Sequence, residues 1–315
     1  MNQSAAYRQF CQENRMPVFA QYWYLDAACD GGQWDAAVVE RGGRIEAVLP
    51  YFIKQKGGFR YITMPPFVKM MGPYLADPAV SLTEQHRLLE ALIAQLPAVA
   101  AFKQCFHYSA TNWLPFYWAG YRQTTRYSYQ LSLEAGADAV LQGINRNMRR
   151  NLQKAQSILT ISNELPLEDF YRINAMSFER QGLRLPYTLP QLLRHDEALS
   201  QHQCRRIFAA FDQQGRLHAV AYLIWDAHSA WYHLSGDDPA LRQSGAGILL
   251  IWEAIRYAAE QLGLPVFDFE GSMMRNIEAI RRQFGATQHP YSAVWKYHST
   301  LYQMIDRLRD REGMW

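Results

Sequence analysis

The chain has 315 residues, beyond the size at which a single hydrophobic core stops growing, so two domains are the first expectation. Hydrophobic residues make up 49% and charged residues 19%, which excludes a disordered or fibrous protein. The net charge of +3 allows an anionic partner at a local site and excludes the broad basic excess of a dedicated DNA binder.

In chain order, β-rich runs at residues 34–40, 44–54 and 59–64 are split by Arg41-Gly-Gly43 and Gln55-Lys-Gly-Gly58, the pattern of an antiparallel meander. Residues 64–74 are proline-broken and irregular. A helix is expected over 82–96, then a strand at 102–108, a short helical stretch at 113–118, a turn at Gly120-Tyr121 and a strand ending near Leu133. The small residues 134–137 read as a joint. Beyond them, residues 145–154 hold four basic and no acidic side chains, and on a helix Arg146, Arg150 and Lys154 fall on one face with Arg149 beside them. That stripe reads as a solvated face or as a holder of phosphates, whether of tRNA or of a diphosphate substrate.

A second meander follows at 205–211, 217–225 and 230–235, with the turn segments Asp212-Gln-Gln-Gly215 and Asp226-Ala-His228 between its strands. Residues 247–262 are apolar around most of a helical circumference, as in a buried helix, and Gly263 is placed to end it. A short strand at 266–269, a short helix at 276–283, the pair Phe284-Gly285, an aromatic strand at 289–297 and an amphipathic helix complete the chain. Both halves run meander, long helix, strand, short helix, glycine turn, strand. This order predicts an internal repeat with domains at residues 1–134 and 135–315.

The four cysteines, Cys11, Cys29, Cys105 and Cys204, are scattered without zinc spacing, so no metal and a reducing cytoplasm are expected. The N-terminal residues lack a signal pattern. The longest apolar stretch, near 248–255, contains Glu253 and is too short to span a bilayer, so neither secretion nor membrane insertion is expected.

The most specific local motif is Arg242-Gln243-Ser244-Gly245-Ala246-Gly247, at the start of the buried helix. Glycines there either pack the loop under the helix or let helix-first-turn amides approach a phosphate. The first half has Asp77-Pro-Ala-Val-Ser-Leu82 at the equivalent place, so only the second half is equipped for a donor. Arg-x-x-Gly-x-Gly after a three-stranded meander resembles the coenzyme A pyrophosphate motif of the GNAT superfamily. The stretches Phe267-Asp-Phe-Glu-Gly-Ser272 and Ile280-Arg-Arg-Gln-Phe-Gly285 resemble the C-terminal signature of its FemAB-like tandem acyltransferases, and the 146–150 and 65–74 segments match other parts of that pattern.

This resemblance implies an α/β (α+β) fold of two tandem GNAT-like domains, the first degenerate, each a mixed, mostly antiparallel sheet flanked by helices. It implies N-acyl transfer to an amine acceptor, with acyl-CoA or aminoacyl-tRNA as donor and a small amine, amino sugar or cell-wall precursor as acceptor, bound between the halves. Arg242, Gly245, Ala246, Gly247 and Ile248 are the implied donor site; Asp268, Glu270, Ser272 and Arg281 surround the acceptor, with Arg146 and Arg150 as further substrate contacts. Two departures stand out. The short helix 276–283 lacks the tyrosine with which GNAT enzymes protonate the leaving thiolate, the nearest substitutes being Tyr291 and Tyr297, and arginine replaces the lysine that FemAB relatives often carry before Phe-Gly.

Acyl transfer to an amine needs an uncharged nucleophile, donors for the carbonyl oxygen and a base. Glu270 is the first candidate base, and strand alternation places it on the face of Asp268. The same two carboxylates also read as caps or as ion-pair partners of Arg281 and Arg282. His233 is either a proton carrier acting through water or a buried structural histidine. Aromatic residues at 22–24 and 113–118 serve as core or as cleft lining. A non-catalytic binding protein on the same fold is the competing class.

Overall fold

The computed structural model describes residues 3–271 and 273–309. It begins with α1 (Gln3–Glu13) and α2 (Tyr22–Ala28), followed by β1 (Gln33–Arg41), β2 (Arg44–Lys56), β3 (Phe59–Thr63), β4 (Tyr74–Leu75), α3 (Leu82–Ala94), β5 (Ala101–Cys105), α4 (Leu114–Trp118) and β6 (Arg122–Ser132). Next come α5 (Gly136–Gly143), α6 (Arg146–Ile158), β7 (Leu159–Ser162), α7 (Leu167–Glu179) and α8 (Leu189–Gln201). The remainder is β8 (Arg205–Asp212), β9 (Leu217–Trp225), β10 (Ser229–Asp237), α9 (Ala246–Glu260), β11 (Val266–Asp268), α10 (Arg275–Gln283), β12 (Thr287–Tyr297) and α11 (Thr300–Arg309).

The chain forms two compact units, one from the residues up to Arg126 together with those from Pro290 onward, the other from Tyr127 to His289. In the first, β1, β2, β3, β5 and β12 lie side by side, antiparallel except for β3 beside β5, with β4 on the flank of β2. Ser81 Oγ accepts the Glu84 N–H to cap α3, and that helix buries Leu88, Leu89 and Leu92 against a core that includes Phe102, Phe106, Phe116 and Val294. In the second unit the order is β7-β8-β9-β10-β11-β6, with β10 beside β11 as the parallel pair. Each parallel pair is bridged by one long helix, α3 or α9, as a parallel connection requires.

The expected division lies at residues 134 and 135, whereas compactness divides the chain after Arg126 and after His289. The reason lies in the closing strands. β6 ends the first repeat and pairs with β11 of the second unit, while β12 ends the second repeat and pairs with β5 of the first.

α9 has no side-chain cap at its N-terminus, and its position is fixed by burial of Leu249, Leu250, Trp252 and Ile255 against Phe208, Leu223 and Phe267. Each such side chain contributes roughly 1.5–3 kcal/mol, enough to seat a helix whose Gly247 and Ile248 amides precede its own acceptors. β10 and β11 pair only over Ser229–Trp231 and Val266–Asp268, after which they part. A bulge between Tyr232 and Leu234 breaks the β9–β10 register at His233. The open end of the parallel pair and the start of α9 define the region described next.

None of the four cysteines forms a disulfide, and all are buried. Among the described residues no helix is long and apolar enough to cross a membrane.

Candidate active site

Beyond β10 the chain makes one 3₁₀ turn at Arg242–Ser244 and enters α9 through Gly245, whose φ is +79°. A Cβ at Gly245 would lie 3.3 Å from Ala155 Cβ and 3.5 Å from Asn151 O of α6, so glycine serves both the left-handed turn and the close approach. A Cβ at Gly247 would meet nothing within 4 Å. The first backbone bond of α9 runs from Leu249 N–H to Gly245 O. The amides of Gly247 and Ile248 therefore precede the helix's own acceptors and lie at its positive end, the arrangement that receives a phosphate.

The loop is anchored from beneath. Ser244 Oγ accepts the Ala246 N–H at 3.3 Å and meets Nδ1 of the buried His218 at 2.9 Å, and His218 Nε2 meets Asp212 Oδ2 at 3.0 Å. Arg242 Nε donates to Asp237 Oδ2 at 2.6 Å, so part of its charge is already compensated. α6 buries Met148, Leu152 and Ala155 and exposes Arg146, Arg150 and Lys154, with Arg149 half-buried. Because a Cβ on Gly245 would meet Ala155 and Asn151, this basic helix borders the loop.

The second cluster lies where β10 and β11 part. Asp268 is fully buried and its carboxylate accepts Ser128 Oγ–H at 2.5 Å, Gln130 Nε2–H at 2.8 Å and the Glu270 backbone N–H at 2.7 Å. Burial pushes Asp268 up to about 6, against the pull of those three donors. Glu270 has φ +58°, unusual for a residue with a side chain. Strand alternation therefore does not place it: β11 ends at Asp268, and the left-handed turn aims the two carboxylates apart. Asp268 faces β6, whereas Glu270 Oε1 meets His233 Nδ1 on β10 at 2.6 Å. The bulge supplies His233 from the other side. Its Nε2 lies 3.1 Å from Nε2 of His195 on α8, a residue with no exposed surface.

Arg281 of α10 donates from Nη2 to Phe269 O at 2.9 Å and stands 5.8 Å from the Phe269 ring. Its Nε and Nη1 are buried without a hydrogen-bond partner among the described residues. Burial pulls the guanidinium down to about 10, opposed by Asp268 and Glu270 nearby. A buried carboxylate beside guanidinium donors is a composition suited to taking a proton and steadying an oxyanion.

Residues 141–291 match the family model of the acetyltransferase (GNAT) domain. The matched stretch contains α6, the 242–248 loop, His195, His233, Asp268, Glu270 and Arg281, whereas Ser128 and Gln130 of β6, which hold Asp268, lie outside it. Its fold is shared with FemX, at TM-score 0.70 and 14% identity, covering 96% of this chain and 98% of that one. A tandem GNAT protein from the clavulanic acid biosynthesis pathway matches at 0.55 and 13%, covering 93% and 92%. L-PGS from Bacillus licheniformis matches at 0.57 and 13%, covering 97% and 96%. No curated protein matches the chain. The chain is thus a GNAT/FemAB-like fold over nearly its full length.

Of the residues expected to act, Arg242, Gly245, Ala246, Gly247 and Ile248 make one loop of the matched stretch, and Asp268, Glu270 and Arg281 gather at the parting strands. Arg146 and Arg150 stand on α6, beside the loop. Ser272 lies outside the described residues. Tyr297 belongs to the other compact unit, where its hydroxyl donates to Asp306 Oδ2 at 2.6 Å and its ring centre lies 5.2 Å from Lys103 Nζ. His195 was not among the expected residues. The available signal is its place between Leu192 and Leu199 on the buried face of α8.

Proposed function

We propose that the chain is an N-acyltransferase that takes an acyl group from a phosphate-bearing carrier, of which acyl-CoA is the first choice, and passes it to an amine. The observation that carries this reading is the unfilled space at Gly247 above amides that precede the acceptors of α9. The carrier's pyrophosphate lies on the Gly247 and Ile248 N–H groups, with Arg242 at the edge. The carrier arm then runs between β10 and β11 to the Glu270 cluster.

In this reading Glu270 is the base. As the amine nitrogen bonds to the acyl carbon and the carrier–acyl bond breaks, the carrier leaves as its anion and the nitrogen's proton passes to the Glu270 carboxylate, whose Oε1 meets His233. Arg281 Nε and Nη1 face the carbonyl oxygen as charge develops on it. Only 2% of the Glu270 side chain is exposed, so the acceptor reaches it by entering the gap between the strands. Asp268 positions this group and does not itself exchange protons with substrate.

One observation favours a second donor, aminoacyl-tRNA: the exposed Arg146, Arg150 and Lys154 of α6 beside the loop. Titration calorimetry with acetyl-CoA is the test. Micromolar binding that disappears in Gly247→Glu supports the first donor. Transfer from charged tRNA without acetyl-CoA binding supports the second, and a loop that binds neither overturns the donor assignment.

A further inference from the structure

Glu270, His233 and His195 form a buried line that spans β11, β10 and α8, with exposures of 3%, 7% and 0%. The two gaps in that line, 2.6 Å from Oε1 to Nδ1 and 3.1 Å between the two Nε2 atoms, are both hydrogen-bond distances. Two lone pairs cannot face each other at either distance, so each gap holds one proton. Two protonation patterns satisfy this. In the first, His195 donates from Nε2 to His233 Nε2, which leaves the His233 proton on Nδ1 and Glu270 as the accepting carboxylate. In the second, His233 donates from Nε2, and the Glu270 gap is then filled by a doubly protonated His233 or by a protonated Glu270.

The surroundings decide between them. Tyr222 of β9 packs against both imidazoles, at ring-centre distances of 6.5 Å and 6.3 Å. Its hydroxyl is committed to Asp196 Oδ1 at 2.6 Å, and Asp196 Oδ2 takes Arg205 Nη2 at 3.0 Å, so the charges on the α8 side are compensated among themselves. On the opposite side Asp268 is held by Ser128 and Gln130, and Arg281 supplies a positive charge near Glu270. Burial and the neighbouring imidazole oppose a second proton on His195, while Arg281 favours the Glu270 carboxylate and opposes a further positive charge on His233 beside it.

We infer that His195 is a positioning residue that fixes the proton of His233 on Nδ1 and thereby holds Glu270 as a carboxylate. The use of that carboxylate as a base rests on the function proposed above; the tautomer assignment does not. His195 touches neither donor nor acceptor. It acts as the far end of a line in which one ring sets the orientation of the next.

The test uses the full chain with ¹⁵N-labelled histidine. Long-range ¹H–¹⁵N spectra at neutral pH are expected to show His195 protonated on Nε2 and His233 on Nδ1. A His233 proton on Nε2, or a doubly protonated His233, overturns the proposal. His195→Phe removes the donor, lets the His233 proton move to Nε2 and places a proton on Glu270. The acid limb of the rate–pH profile with acetyl-CoA should then rise by about one pH unit and kcat fall roughly tenfold, with KM for acetyl-CoA unchanged. His195→Gln, whose amide can still donate, should restore both. An unmoved acid limb in a folded His195→Phe also overturns the proposal, because packing alone would lower stability without changing that limb. If acetyl-CoA is not a substrate, the spectra still decide the tautomer question separately from the transfer reading.

Discussion

The backbone N–H of Glu270 donates to Oδ1 of Asp268 at 2.7 Å, so the strand's last carboxylate fixes the turn that presents the next one. Asp268 also accepts from Ser128 and Gln130 of β6. Asp268→Ala leaves two buried donors and one half-buried donor without their acceptor, each buried one costing about 1–3 kcal/mol. Urea unfolding should show a loss of about 3 kcal/mol or more, with transfer activity abolished. Asp268→Asn keeps an oxygen for Glu270 N–H and should lose less of both. Full activity in a folded Asp268→Ala would remove its positioning role.

Gly271 lies next in the chain, and a Cβ there would sit 2.4 Å from Tyr127 O, on backbone with φ +72°. Neither obstacle is the end of a flexible side chain. Gly271→Ala should therefore destabilise by about 2–3 kcal/mol, near the upper range for ordinary point changes. Gly247→Ala is the contrast, since open space surrounds that position: stability should stay within about 0.5 kcal/mol. Thermal unfolding of the two variants side by side checks the difference.

How much of this was legible follows from how local each feature is. The 205–211 and 217–225 runs correspond to β8 and β9, and 247–262 to α9, because alternation and all-round apolarity are written within a dozen residues. The glycine loop was equally readable. The Glu270–His233 contact spans 37 positions and depends on a bulge and a left-handed turn, neither of which has a periodic signature. Alternation put Glu270 and Asp268 on one face, and the turn after Asp268 undid that. His195 sits at helical spacing from Leu192 and Leu199, yet no pattern names the ring 38 positions away that it meets. The exchanged closing strands β6 and β12 are likewise invisible, since pairing partners between repeats are set by the assembled sheet.

Acid should destabilise the protein, in a way that can be traced to three buried groups. Burial pulls His195 well below its ordinary value of 6.5 and pulls His107 to about 4. Both stay neutral when folded and take up protons on unfolding, so their contribution is present above about 6.5 and lost as pH falls. Asp268 has the opposite sign. Burial pushes it to about 6, so its contribution is present below the ordinary carboxylate range and lost as pH rises through about 6. Two histidines against one carboxyl leave a net loss of stability from pH 7 to 5, at up to about 1.4 kcal/mol per pH unit for each uncompensated proton. Urea unfolding at pH 5, 6 and 7 should show that slope, and His195→Phe should reduce it by about one proton. A slope unchanged by the substitution would mean that His195 is protonated in the folded state.

Tyr297 offers a sharper separation of catalysis from architecture. With Tyr291 it is one of the two tyrosines on the strand that follows the helix lacking one, and it is a candidate to protonate a leaving thiolate. Its hydroxyl, however, donates to Asp306 of α11, and the same carboxylate is paired with Lys103, which is itself only 6% exposed. A phenol committed to a carboxylate is poorly placed to give its proton to a thiolate. Tyr297→Phe removes one hydrogen bond to a charged acceptor and should cost about 1.5–3 kcal/mol in urea unfolding while turnover stays within about twofold. Asp306→Ala removes the carboxylate paired with the buried Lys103 ammonium and should cost more, about 3–5 kcal/mol. Glu270→Gln is the counterpart: acetyl-CoA binding by calorimetry should persist while turnover falls about 10²–10⁴-fold. A hundredfold loss of turnover in a stable Tyr297→Phe would return the acid role to that hydroxyl.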